Sequence, residues 1–175
     1  RFKLKNAEQK ESREICFVAD NDYRRFLKEW EAKRGRGFRP GDIVGTDGRI
    51  LGRHNGIAFY TIGQRRGLGI SNPTPLYVRK LIPEEDQVVV GDNASLFNTD
   101  LTINGINWVA LKNPAHQFRA DVKIRYLHQP APSTVRPINE SSAEITLDKA
   151  QRAITPGQSA VFYEKDTVLG GGIIT

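Results

Sequence analysis

Apolar residues recur in two rhythms along this chain, and the rhythm changes near residue 37. After Asp20-Asn21-Asp22, the residues Tyr23, Phe26, Leu27 and Trp30 fall at i, i+3, i+4 and i+7, while Arg24, Arg25, Lys28 and Glu29 take the positions between them. A 3.6-residue turn puts the first four on one stripe, so the spacing predicts an amphipathic helix. The side-chain oxygens of residues 20–22 suit the unpaired amides of its first turn, and Gly35-Arg36-Gly37 ends it.

Beyond Pro40-Gly41 the pattern is that of short strands. Residues 42–44 and 50–52 around Thr46-Asp47-Gly48 predict a tight hairpin. In residues 57–62, Ile57, Phe59 and Thr61 alternate with Ala58, Tyr60 and Ile62, apolar on nearly both sides, which predicts a buried strand. It runs into Gly63-Gln64-Arg65-Arg66-Gly67-Leu68-Gly69, a loop with three glycines and two adjacent arginines. Residues 76–82 and 87–91 flank Pro83-Glu84-Glu85-Asp86 as a second hairpin. Near residues 98–100 one β-unit gives way to another, which starts with 101–103 and 106–109. There Ala120, Val122, Ile124 and Tyr126 alternate with Asp121, Lys123, Arg125 and Leu127, predicting a half-buried strand with a basic outer face that Pro130 and Pro132 end. Ala143, Ile145 and Leu147 mark a further strand. Thr155-Pro156-Gly157-Gln158 is a turn before residues 159–163, and 167–175 form the last strand. Strands at this spacing indicate a sandwich or a barrel.

Composition narrows the setting. The 175 residues carry a formal net charge of +6, which fits a polyanionic partner such as nucleic acid or, equally, a solvated basic surface. No apolar run approaches the roughly 20 residues that cross a bilayer, so no membrane is expected as partner. A single cysteine cannot build a disulfide framework, and the first residues lack the apolar core of a secretory signal; both point to a reducing, cytoplasmic setting. The chain begins with Arg and contains no Met, which suggests a piece of a longer protein.

Cys16 is the first candidate for chemistry. Beside Ile15, Phe17 and Val18 it reads either as a small packed hydrophobe or as a nucleophile or sulfur carrier. The second role needs thiolate, which Arg13 or the start of the following helix would favour. His54, His116 and His128 are scattered among β-segments, so spacing marks none as a base. They are taken as surface residues, with no ligand pairs at the intervals a zinc site uses. Gly170-Gly171-Gly172 is no phosphate cradle, since such loops feed a helix; bulges or close packing are expected instead. Arg65-Arg66, the strand with Lys123 and Arg125, and the turn with Gln158 suit phosphate contacts. Tyr126 and Gln158 add stacking or a hydrogen bond to an unpaired base or sugar.

Four stretches occur in order. They are Glu-Ser-x-x-Ile-Cys-Phe-Val at 11–18, Asp-Tyr-Arg-Arg-Phe-Leu at 22–27, Tyr-Thr-Ile-Gly-Gln-Arg-Arg-Gly-Leu-Gly-Ile at 60–70, and Thr-Pro-Gly-Gln-Ser-Ala-Val-Phe-Tyr with Leu-Gly-Gly-Gly-Ile-Ile near the end. Together they resemble the C-terminal part of the tRNA-specific 2-thiouridylases (the MnmA/TrmU family). The resemblance implies a tRNA sulfurtransferase: ATP, bound by an N-terminal ATP-pyrophosphatase domain with no counterpart here, activates C2 of the wobble uridine, and a cysteine persulfide delivers sulfur. Cys16 matches the persulfide-bearing position, loaded by a sulfur-donor protein and later paired in a disulfide with a cysteine of the missing domain. Arg125, Tyr126 and Gln158 match tRNA-contacting positions. Gln64, Arg65, Arg66 and Lys123 extend that set.

Arg13 and Glu14 depart from the side chains usual before that cysteine, which bears on its electrostatic setting alone. The fold expected is mainly β: a connector with cysteine loop and helix at 1–36, a small central β-domain at 37–100, and a C-terminal β-barrel at 101–175. Alone the chain is expected to be inactive. The rival readings are a noncatalytic RNA-binding β-barrel module of a translation-type factor, in which Cys16 is merely packed, and a protein-interaction module with an incidental basic face.

Overall fold

In a computed structural model, residues 18, 20, 22–35, 37–112, 114–126 and 128–175 are described. Cys16 and the stretch around it, and Leu127 of the expected basic strand, lie outside the described residues. Helix α1 spans Tyr23–Ala32, and the Asp22 side chain accepts from the Arg25 amide at 3.0 Å as its cap. No residue of α1 is buried. Its stripe is a seat rather than a core: the Tyr23 hydroxyl donates to the Phe59 carbonyl at 3.3 Å, and the Arg34 guanidinium lies 3.4 Å from the centre of the Trp30 ring.

Four strands follow: β1 (Gly41–Gly45), β2 (Ile50–His54), β3 (Tyr77–Ile82) and β4 (Gln87–Gly91), in the order β2-β1-β4-β3. The outer pairs are the two expected hairpins, and β1 meets β4 in parallel at the centre. Gly48 turns the first at φ +79°, where a side chain would be strained, and a short 3-10 turn at Pro83–Glu85 closes the second. Ile43, Leu68, Val78, Val88 and Val90 make the core of this unit.

The strand expected at 57–62 is absent. Ile57–Phe59 is a 3-10 turn, followed by irregular chain. An apolar run with no period fills space around a turn as readily as it forms a strand. Here Gly56 has a φ of +149°, and Phe59 is buried against Phe38, with ring centres 4.6 Å apart. His54 also departs from expectation, being buried rather than on the surface. Its Nδ1 accepts from the Gly56 amide at 3.0 Å, which leaves the proton on Nε2 to donate to the Asp86 carbonyl at 2.8 Å.

The second unit is a closed barrel of β5 (Phe97–Trp108), β6 (Phe118–Lys123), β7 (Ala131–Asn139), β8 (Ser142–Arg152), β9 (Ser159–Glu164) and β10 (Thr167–Ile174). Around the ring the order is β5-β8-β7-β6-β9-β10 and back to β5, every pair antiparallel. Side chains fill the interior, as the narrow circumference of a small barrel requires. Phe162 is fully buried there, its ring centre 6.0 Å from that of Trp108 and 6.3 Å from that of Phe118.

Residues 101–103 and 106–108 lie in one long strand, β5, in which Gly105 adopts φ +64°. Two expectations about this unit needed correction. Strand β7 contains Pro132, which was read as a terminator, and also Pro137. Pro132 is its second residue and Pro137 stands at a bulge, places where the ladder spares a donor. Strand β6 ends at Lys123, so Tyr126 does not continue its inward face but is 64% exposed. The glycine run behaves as expected. A Cβ at Gly170, Gly171 or Gly172 would stand 2.8, 2.6 or 2.8 Å from a backbone oxygen of a neighbouring strand.

The two units meet along the end of β8. The Ala153 amide donates to the Leu96 carbonyl at 2.8 Å, and Arg152 Nε donates to Asn93 Oδ1 at 3.1 Å while its guanidinium lies 5.3 Å from the centre of the Tyr77 ring.

Candidate nucleic-acid interface

Ladder pairing of β6 stops at Lys123, yet Ile124 still turns inward and is buried, so the chain pivots there and lifts the next two side chains out of the wall. On the neighbouring rim, Gly157 at φ +86° turns the chain into β9 and sets Gln158 at the mouth. Lys123, Arg125 and Tyr126, together with Gln158 more than thirty residues further along the chain, thereby line one groove of about 800 Å³, with Val161 and Tyr163 also on its wall.

Arg125 is half-buried. Its Nε donates to Gln158 Oε1 at 3.3 Å, and its Nη2 donates to the carbonyls of Arg152, at 3.1 Å, and Ala153. Burial, and secondarily the charge of Arg152, pull its pKa below the ordinary arginine value. A guanidinium still holds its proton in such a setting, so the site stays cationic. Gln158 gives its oxygen to Arg125, which leaves its amide N–H groups for another acceptor. The Lys123 ammonium lies 5.5 Å from the centre of the exposed Tyr126 ring. The groove thus offers a flat ring for stacking, flanked by positive charge and amide donors, the set that an unpaired nucleotide requires.

The Gln64, Arg65 and Arg66 loop does not line this groove. Gln64 is structural: its Oε1 accepts from the Thr61 amide at 3.0 Å and its Nε2 donates to the Arg66 carbonyl at 2.9 Å. Arg65 and Arg66 are exposed, and Arg65 borders a separate hollow of about 220 Å³. Sequence reasoning missed Tyr163 in the groove and Arg152 behind it. Tyr163 sits in an outward phase of a correctly placed strand, a signal that was present; Arg152 becomes visible only through the β5–β8 register.

Comparison with known proteins gives two domain matches. Residues 25–92 match a tRNA methyl transferase PRC-barrel domain, and residues 98–174 match an aminomethyltransferase beta-barrel domain. Among curated relatives, the chain is 44% identical over 174 residues to a tRNA-specific 2-thiouridylase of Chlorobium phaeobacteroides, covering 99% of this chain and 48% of the relative. To proteins of the same description it is 45% identical over 174 residues in Nostoc punctiforme, covering 99% and 48%, and 46% identical over 172 residues in Trichormus variabilis, covering 98% and 47%. The chain spans about half the length of the curated relatives it matches.

Proposed function

The chain belongs to the tRNA-specific 2-thiouridylase family, and from that premise we propose that it serves a full-length enzyme which places sulfur on C2 of the wobble uridine of tRNA, with Cys16 as sulfur carrier and the barrel groove as a tRNA contact. The observation that supports this most is the convergence of Lys123, Arg125, Tyr126 and Gln158 on one groove. A merely solvated basic face would have no reason to bring an aromatic ring and an amide into register with its cations.

In this reading the terminal sulfur of a Cys16 persulfide attacks the activated C2 carbon, forming the C–S bond as the activated oxygen leaves. A second thiolate then attacks the sulfur of Cys16. The S–S bond breaks, its electron pair stays on the sulfur bound to C2, and a disulfide remains on Cys16. This chain has one cysteine, so that thiol comes from outside it, as does the sulfur-donor protein that loads the persulfide. The described residues do not fit ATP. The one glycine run sits inside β10 against neighbouring backbone and leads into no helix; in this reading a separate ATP-pyrophosphatase domain carries out the activation. No helix among the described residues is long and apolar enough to cross a membrane; the setting proposed is the cytoplasm.

The test is Cys16→Ser in the full-length protein, assayed for 2-thiouridine in tRNA and for tRNA affinity. Thiolation should vanish while affinity holds. Undiminished thiolation would overturn the carrier role and favour the noncatalytic RNA-binding module.

A further inference from the structure

The face of α1 that meets the sheet unit carries cations the barrel groove does not use. Arg24 and Lys28 are one helical turn apart and both lie over the buried Phe59 ring, at 5.7 and 5.8 Å from its centre. Arg24 Nη2 also reaches the Phe59 carbonyl at 3.5 Å. Attraction to the ring holds their stems while the charged ends stay exposed. The loop with Arg65 and Arg66 comes up beside them: a Cβ placed on Gly67 would lie 3.6 Å from Arg24 Nη2. That loop is built rather than loose. Gln64 fastens it at Thr61 and Arg66, the Gly63 amide donates to the Val78 carbonyl at 2.7 Å, and Leu68 is buried in the sheet core.

Part of the positive charge on this surface is already met by carboxylates. Arg25, the next residue round the helix, is closed onto Asp20 at 2.8 Å and Glu29 at 2.6 Å. Arg39, Arg49, Arg53, Arg119 and Arg136 likewise have carboxylate partners. Among the described residues, Arg24, Lys28, Arg65 and Arg66 have none. Four exposed cations on the helix and the adjoining loop, with no carboxylate partner among the described residues, make a positive patch that suits a polyanion.

We infer that Arg24 and Lys28 of α1, with Arg65 and Arg66 of the 63–69 loop, form a second RNA-contacting surface that takes the phosphate backbone of the same tRNA, independently of the barrel groove. The inference rests on the proposed tRNA reading. It adds a site on the sheet unit, beginning at Arg24, eight residues along the chain from Cys16, so the RNA is gripped on both units. Phosphate contacts fix register and orientation without reading sequence, which suits four cations with no amide or ring among them.

The experiment uses the full-length protein and unmodified tRNA, with affinity followed across a salt series. Lys28→Ala and Arg66→Ala should each reduce the slope of log affinity against log salt by about 0.7–0.9, one phosphate's worth, without lowering the thermal midpoint. Lys28→Arg should restore it, and Arg25→Ala, whose charge is already met, should leave it unchanged. If Lys28→Ala and Arg66→Ala leave the slope intact while Lys123→Ala lowers it, the second surface is refuted and the tRNA reading stands. If all three leave it intact, the tRNA reading falls with it. A lower thermal midpoint with an intact slope would place these cations against another part of the protein and would equally overturn the inference.

Discussion

The barrel and the four-stranded sheet solve the same burial problem on different scales. Fourteen buried residues share one interior in the barrel and five in the sheet, so the ring holds most of the chain's apolar burial. The barrel has no free edge, whereas β2 and β3 end the sheet on either side. Arginines of both units close onto carboxylates, Arg119 and Arg136 on the barrel and Arg39, Arg49 and Arg53 on the sheet, but the sheet's 63–69 loop presents Arg65 and Arg66 without a carboxylate partner among the described residues. The closed unit supplies rigidity; the open one spends its surface on loops.

That contrast can be broken at its strongest point. Phe162→Ala empties the middle of the barrel and should cost about 3–5 kcal/mol, read as a lowered denaturant midpoint with Trp108 fluorescence as probe. A cost near that of a surface change would mean the ring is not what stabilises the chain. A smaller effect belongs to the sheet side. Asp22→Ala removes the cap of a helix with no buried residue and should cost about 1 kcal/mol, with faster amide exchange confined to α1. Spread of that exchange into the barrel would show the two units to be one cooperative block.

The smallest effect tests the barrel's charge pairing. The Arg119 guanidinium, donating to Asp148 at 2.8 Å, holds that carboxyl below its ordinary value. A lowered folded-state pKa gives stability that is present above the unfolded value and is lost as pH falls through the folded one. Asp148→Asn should therefore flatten the fall in unfolding midpoint between about pH 5 and pH 3, and added salt should shrink the difference because the pair is exposed. Equal acid sensitivity in both proteins would remove the pair from the account.

Legibility followed period. Helix α1 and its Asp22 cap, both hairpins, β8, β9 and β10 were readable because their apolar residues or their turn and cap residues recur at the spacing of the element, and the mainly β fold with a barrel at its end is observed. Residues 57–62 were misread because apolar residues on both sides carry no phase. Strand β7 was missed because proline was read as a terminator, although a barrel strand tolerates it at an end or a bulge. At the site, Lys123, Arg125, Tyr126 and Gln158 were each named from sequence. Their meeting in one groove depends on which strands are neighbours, and local pattern does not encode that. Arg125 was expected to face outward, but it is folded back onto the carbonyls of residues 152 and 153.

Strand β10 has one more consequence. It hydrogen-bonds to β5 on one side and β9 on the other, so residues 167–174 are the stave that shuts the ring. During synthesis β5 waits with a bare edge until some seventy later residues have left the ribosome. Chaperone capture and premature termination should therefore act most strongly on molecules that have made every stave except this one.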